Sequence, residues 1–358
     1  MRMKKLGDTG LVVSEICLGT MTFSTGEGFW GPIGNTDQEG ATAIVRTALD
    51  HGVNFIDTAD VYSAGIAETM TGQALKTLGL PRDQFVLATK VLGRMGPGAN
   101  QSGLSRVHIL HALDASLKRL QLDHIDLYQT HGRDPLTPLE ETLDALDACV
   151  RAGKVRYIGS STFPASQIVQ AQWVAEKRGR ERFVCEQPPY SLITRGIETD
   201  VLAVCEQYRM GVIPWSPLAG GWLSGKYRKD GESPGSSRRA QMLPGRYDMS
   251  LPANQRKLEA ADALAGLADQ AGISLIEMAL AFVINHPAVT AAIIGPRTME
   301  HLDSQLGALE TSLSAELLDR IDEIVPPGVN VNPSDRGWDP PWLTDSSLRR
   351  RQPQPASG

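Results

Sequence analysis

The sequence has little cysteine, no excess of positive charge and no unbroken long apolar run, and each shortage removes a class of protein. Its four cysteines, Cys17, Cys149, Cys185 and Cys205, are scattered through 358 residues and form no Cys-x-x-Cys pair. They suit neither a disulfide framework nor a zinc ribbon, and read as buried thiols that behave as small hydrophobes. Lys and Arg number 35 against 41 Asp and Glu, a formal net charge of −6. A protein that binds nucleic acid through broad charge attraction carries the opposite balance, so no such partner is expected. Long apolar runs are missing too. Residues 278–296 lack Asp, Glu, Lys and Arg, but Asn285-His286-Pro287 breaks them midway. The stretch reads as a core helix and then a buried strand, not a membrane span. The basic start Met1-Arg2-Met3-Lys4-Lys5 leads into no signal-type apolar stretch. The expectation is a cytoplasmic protein without membrane contact.

What is present is a rhythm. Short apolar runs at Ile16–Thr20, Asn54–Ile56, Phe85–Thr89, His124–Thr130, Val155–Ser160, Phe183–Gln187, Val212–Trp215 and Thr290–Ile294 read as strands. Between them lie segments with helical spacing, such as Leu110, Leu113, Leu117 and Leu120, or Leu139, Leu143, Leu146 and Val150. Eight strand–helix units predict an α/β fold, a closed (β/α)8 TIM barrel over residues 1–328. An open dinucleotide-binding sheet would want Gly-x-Gly-x-x-Gly after its first strand, where this chain reads Gly19-Thr20-Met21-Thr22-Phe23. Lys4–Leu6 and Leu11–Val13 flank Gly7-Asp8-Thr9-Gly10 and predict an N-terminal hairpin cap. The long glycine-bearing loop 216–252 follows the seventh strand and reads as a lid. Residues 329–358 form a proline-rich tail, with its last residues expected to be disordered.

Catalytic groups of such barrels sit where strands end. The second strand runs into Asp57, with Tyr62 in the loop beyond; the third ends in Lys90; the fourth ends in His131. Adjacent strands lie only about 5 Å apart, so these four side chains should converge. Together they suit proton delivery to a carbonyl oxygen. A lysine ammonium favours phenolate and should lower the tyrosine pKa, a carboxylate keeps the lysine charged, and the histidine orients the substrate. A metal site is not expected, since only Asp57 and His131 are plausible ligands and Lys90 lies between them. The later strand ends suit a dinucleotide: Ser161, Thr162 and Gln187 for a carboxamide, then the flat Trp215 for a ring, followed by Ser216, Pro217 and Leu218. The turn Gly295-Pro296-Arg297 into a helix suits phosphate, with His301 one turn on.

Phe55-Ile56-Asp57-Thr58-Ala59-Asp60-Val61-Tyr62, Ala88-Thr89-Lys90, Asp126-Leu127-Tyr128-Gln129-Thr130-His131, Gly153-Lys154-Val155-Arg156-Tyr157-Ile158-Gly159-Ser160-Ser161 and Trp215-Ser216-Pro217-Leu218 resemble, in that order, motifs of the aldo-keto reductases. The Trp215-to-Gly221 form and the Gly295-to-Thr298 turn resemble the bacterial and potassium-channel β-subunit-like branch. The resemblance implies NADP(H)-dependent reduction of a small-molecule carbonyl compound, with Tyr62 the acid, Asp57 and Lys90 its tuning pair, and His131 the orienting group. It also implies a cofactor seat of Gly19, Thr20, Met21, Ser161, Thr162, Gln187 and Trp215. The loop from Ser216 through Gly220 to Lys226 would lie over the pyrophosphate, with Gly295, Arg297, His301 and Gln305 at the adenosine end. Thr162 stands where many members have Asn, and Gly295-Pro296 where some have Lys-Ser. The choice of NADP(H) over NAD(H) therefore rests mainly on Arg297. Trp30, Trp222 and the tail tryptophans Trp338 and Trp342 are candidate substrate contacts. Two alternatives stay open: a reductase of nucleotide-linked deoxysugars, and a cofactor-binding regulatory subunit. A homo-oligomer is also open.

Overall fold

A computed structural model describes residues 1–24, 34, 36–231, 234–236, 238–339, 343 and 345–346. A two-stranded hairpin, β1 (Met3–Lys5) and β2 (Val12–Ser14), precedes eight parallel strands. These are β3 (Ile16–Gly19), β4 (Phe55–Asp57), β5 (Val86–Val91), β6 (Ile125–Thr130), β7 (Val155–Ser161), β8 (Cys185–Gln187), β9 (Gly211–Val212) and β10 (Ala292–Ile294). Their order is β10-β3-β4-β5-β6-β7-β8-β9. The ring closes where Thr290 N–H donates to Val212 O at 2.8 Å and Ile293 N–H to Pro214 O at 2.8 Å. This is the expected (β/α)8 barrel. The seventh strand is shorter than the sequence suggests because Pro214 has no N–H for the ladder. Backbone pairing resumes at Trp215, whose N–H reaches Pro188 O at 3.0 Å.

Strand alternation sorts the apolar residues into two layers. Cys17, Phe55, Ala88, Leu127, Cys185 and Ile213 pack inside the ring, while Leu18, Ile56, Leu87, Tyr128 and Val212 face the helices. The helices begin where short polar side chains catch free N–H groups: Asp37 accepts from Gly40, Ser105 from His108, and Ser274 forms a reciprocal capping box with Glu277. On helix Arg106–Leu120 the buried face is set by Ile109, Ala112, Leu113, Ser116 and Leu120, and Leu110 is exposed. Leu113 and Leu120 of the expected spacing lie on that face, and Leu117 is half-buried. Leu143 and Leu146 are buried as expected.

The hairpin plugs the N-terminal mouth of the barrel. Leu6 is fully buried among the inward residues, and Asp8 N–H donates to Arg209 O at 2.9 Å. Gly7 has φ +57°, and a Cβ there would stand 2.6 Å from that same carbonyl oxygen. Among the described residues no single helix is long and apolar enough to cross a membrane. The charge-free stretch is the buried helix Leu275–Ile284 followed by β10, and that helix bends 95° from Pro252–Ala271.

Residues 329–339 pack on the barrel. Asn332 Nδ2 donates to Asn254 Oδ1 at 2.7 Å, and Asp335 pairs with the buried Lys257 at 2.7 Å. Lys257 also lies over the ring of Trp222, 4.5 Å from its centroid. The tail thus ties itself to the loop after β9, which carries the turn Ala219–Gly221 and a short helix Pro244–Tyr247. Trp342 and residues 347–358 lie outside the described residues.

Candidate active site

The inward positions at the C-terminal ends of β4, β5 and β6 are Asp57, Lys90 and Gln129, with His131 just beyond. Lys90 is fully buried and uses all its protons: Nζ donates to Asp57 Oδ2 at 2.5 Å, Thr58 O at 2.8 Å and Tyr62 Oη at 3.3 Å. Tyr62 opens a turn in which Ser63, Ala64 and Gly65 adopt φ of 49°, 54° and 95°. Left-handed backbone at two non-glycine residues costs about 1–2 kcal/mol each, and here it turns the phenol back over the barrel mouth. The His131 ring stands edge-on to Tyr62, with centroids 5.4 Å apart. All four expected side chains meet.

Their electrostatics depart from expectation at one point. Burial works against the Lys90 charge, but Asp57 and Tyr62 outweigh it and raise the lysine pKa above its usual value. Lys90 was expected to lower the Tyr62 pKa; instead the phenol is raised. Burial is the main cause, with Lys90 pulling down and Asp57 pushing up. The ammonium is in direct contact with a carboxylate, so much of its field is cancelled before it reaches the phenol. Burial thus favours the protonated phenol at Tyr62. His131 is pushed down to about 3 by burial and by Lys90. Its imidazole is neutral, able to orient an oxygen by hydrogen bonding without adding charge.

Asp57, Tyr62 and His131 line one end of a cavity of about 830 Å³ that runs to Arg297 and His301, with Lys90 buried behind them. Gly19, Met21, Ser161, Thr162, Gln187, Trp215, Ser216, Pro217, Leu218, Gly220, Lys226, Gly295 and Gln305 also line it. Ser161 Oγ donates to Gln187 O at 2.8 Å, and Thr162 has φ +57°. Gln187 Nε2 donates to Asp57 Oδ1 at 2.9 Å and Gln129 Oε1 at 3.2 Å, leaving its own oxygen for a ligand N–H. At the far end Thr298 caps helix Met299–Leu306, and a Cβ on Gly295 would meet nothing within 4 Å, so a ligand can approach the backbone. The Gln305 Oε1 is buried with no partner among the described residues. This donor set fits a dinucleotide: amide partners and the flat Trp215 at one end, cations and a helix start at the other.

Several expected contacts are not on the cavity. Trp222 is fully buried beneath the loop, stacked on Tyr247 with centroids 5.7 Å apart, so it is a core residue of the lid and not a substrate contact. Thr20 is buried off the wall and braces a strand end, its N–H donating to Asp57 O at 2.9 Å. Trp30 lies outside the described residues. Trp338 packs on Arg133, 5.3 Å from guanidinium carbon to ring centroid. Conversely, Gly337 of the tail lines the cavity, and a Cβ there would sit 2.9 Å from both Thr162 Cγ2 and Trp215 Cζ2. Tyr227 and Ile276 line it as well. Among the described residues no group of His, Cys, Asp and Glu could hold a metal.

The model of the Aldo/keto reductase family matches residues 15–326. Similar proteins include the Uncharacterized oxidoreductase YrpG of Bacillus subtilis (strain 168), 39% identical over 93% of this chain and 98% of its own. A Probable voltage-gated potassium channel subunit beta of Arabidopsis thaliana is 36% identical over 91% and 97%. Versiconal hemiacetal acetate reductase of Aspergillus parasiticus is 32% identical over 94% and 100%.

Proposed function

The chain belongs to the aldo/keto reductase family, and from that premise we propose that it reduces an aldehyde or ketone to the alcohol with NADP(H). The observation that carries this is the Tyr62 phenol, 3.3 Å from Lys90 Nζ, at the end of a cavity whose other end holds Arg297. Ser161, Thr162, Gln187 and Trp215 would hold the nicotinamide end, and Ser216 to Lys226 the pyrophosphate. Arg297, His301 and Gln305 would hold the adenosine end, with Arg297 favouring the 2′-phosphate. NADPH, when bound there, would supply hydride for the carbonyl carbon. Tyr62 Oη gives its proton to the carbonyl oxygen, and the Lys90 ammonium stabilises the phenolate left behind. The neutral His131 orients that oxygen by hydrogen bonding. Four buried, free cysteines support a reducing, cytoplasmic setting.

The test is NADPH absorbance against a panel of aldehydes, ketones and nucleotide-linked ketosugars, with Tyr62→Phe as the control. Loss of the acid should lower kcat by about 10²–10⁴-fold while NADPH affinity stays near wild type. Unchanged turnover in Tyr62→Phe would remove the proposed acid. A second reading, a cofactor-binding regulatory subunit, is favoured by the relatives named as potassium channel subunits. Tight NADPH binding with no oxidation across the whole panel would select it.

A further inference from the structure

Gln129 is fully buried on the barrel axis, in register with Lys90 on the neighbouring strand. It closes a triangle of hydrogen bonds with two site residues. Gln129 Nε2 donates to Asp57 Oδ1 at 3.2 Å, Gln187 Nε2 donates to the same oxygen at 2.9 Å, and Gln187 Nε2 donates to Gln129 Oε1 at 3.2 Å. Space for it is made by a missing side chain. A Cβ on Gly159 would lie 3.2 Å from Gln129 Cγ and 2.6 Å from Cys185 Sγ. An apolar residue could fill that space without burying an amide, which costs on the order of 1–3 kcal/mol when its bonds are not made. Here both ends of the amide are used, and both lead to functional groups.

We propose that Gln129 is a positioning residue for the reduction, joining the seat of the nicotinamide carboxamide to the Lys90–Tyr62 proton donor. The proposal rests on the reductase reading above. Asp57 gives one oxygen to Lys90, and its other oxygen is held by two amide N–H groups from adjacent sides, which fixes the carboxylate plane. Gln187 spends both amide hydrogens inside the triangle, so only its oxygen faces the cavity. Without the Gln129 amide, one hydrogen of Gln187 is released and its side chain can present either end to a ligand. Titratable neighbours of Tyr62 are Lys90, Asp57, Asp60 and His131. Asp57 pushes the phenol pKa up, and the two N–H dipoles aimed at its Oδ1 temper that push.

The test uses the full chain with Gln129→Met, which keeps length and deletes the amide, and Gln129→Glu. Affinities for NADP+ and for its 3-acetylpyridine analogue, whose acetyl group has no N–H, are read by tryptophan fluorescence quenching. Gln129→Met should weaken NADP+ about 3- to 10-fold, the worth of one hydrogen bond, and leave the analogue unchanged. In turnover of 4-nitrobenzaldehyde, the alkaline limb of kcat should move to higher pH. A buried, protonated glutamate can donate as the amide did, so Gln129→Glu should regain NADP+ affinity as pH falls. Equal losses for both nucleotides, or none for either, would overturn the positioning role. So would an unmoved alkaline limb. If wild type reduces no carbonyl, the reductase reading fails by itself and the affinities still decide the role of Gln129. If Gln129→Met does not fold, Gln129→Glu decides it through the pH dependence of NADP+ affinity.

Discussion

Asp57→Asn removes one charge from a pair sealed inside the barrel mouth. The Lys90 side chain has no solvent exposure and that of Asp57 only 3%. Breaking a buried pair by deleting one partner costs about 3–5 kcal/mol, because the remaining charge is uncompensated. Asparagine keeps the shape and one acceptor for Lys90, which favours the lower end of that range. Unfolding entropy is about 2.1 cal/mol/K per residue, so the loss should lower Tm by roughly 4–7 °C. The sign with pH is distinctive. In wild type the folded pKa of Lys90 lies above its unfolded value, so the stabilisation is full below the unfolded value and is lost as pH rises through the folded one. In the variant, burial without a counter-charge should put the folded pKa below the unfolded value of about 10.4. Its penalty is then greatest at neutral pH and shrinks as pH rises. Far-UV circular dichroism melts without nucleotide at about pH 7 and 10 measure this with no assumption about activity. A variant that melts with wild type at neutral pH, or a gap that widens in alkali, would refute the ion-pair argument.

Burial and Lys90 hold His131 near 3, so it stays neutral through the physiological range. Its titration should add no acid limb to kcat between about pH 5 and 8; an inflection lost in His131→Asn would show that the ring titrates there. Trp222→Ala should cost about 3–5 kcal/mol of stability, measured by denaturant unfolding. Its aldehyde KM should change no more than its NADPH affinity does, and a selective rise in KM would restore the residue as a substrate contact.

The barrel was legible because strand and helix periods alternate eight times, and the convergence of Asp57, Tyr62, Lys90 and His131 because each ends a strand or follows one closely. Gln129 went unnoticed although it lies two residues before His131 on the same face. Strand alternation alone would have aimed it inward; what the sequence could not supply was its proximity to Asp57 and Gln187, distant in the chain. Trp222 was misplaced for a related reason. An aromatic in a glycine-rich loop looks exposed until Tyr247, Lys257 and Asp335 are seen to enclose it. The upward shift of Tyr62 was hidden for a related reason: residue types reveal that a lysine is near, but not that the phenol is buried deeply enough for desolvation to outweigh it.

The tail that pairs Asp335 with Lys257 and brings Gly337 to the cavity has a consequence in time. A ribosome releases the barrel strands first and the segment that finishes their rim last. Until Asp335 emerges, Lys257 has no counter-charge from the tail, and the lid above Trp215 lacks one of its anchors. The newborn chain can therefore assemble its core before the wall of its cavity is complete. Translation that stops just short of Asn332 would yield a barrel with a loosened roof.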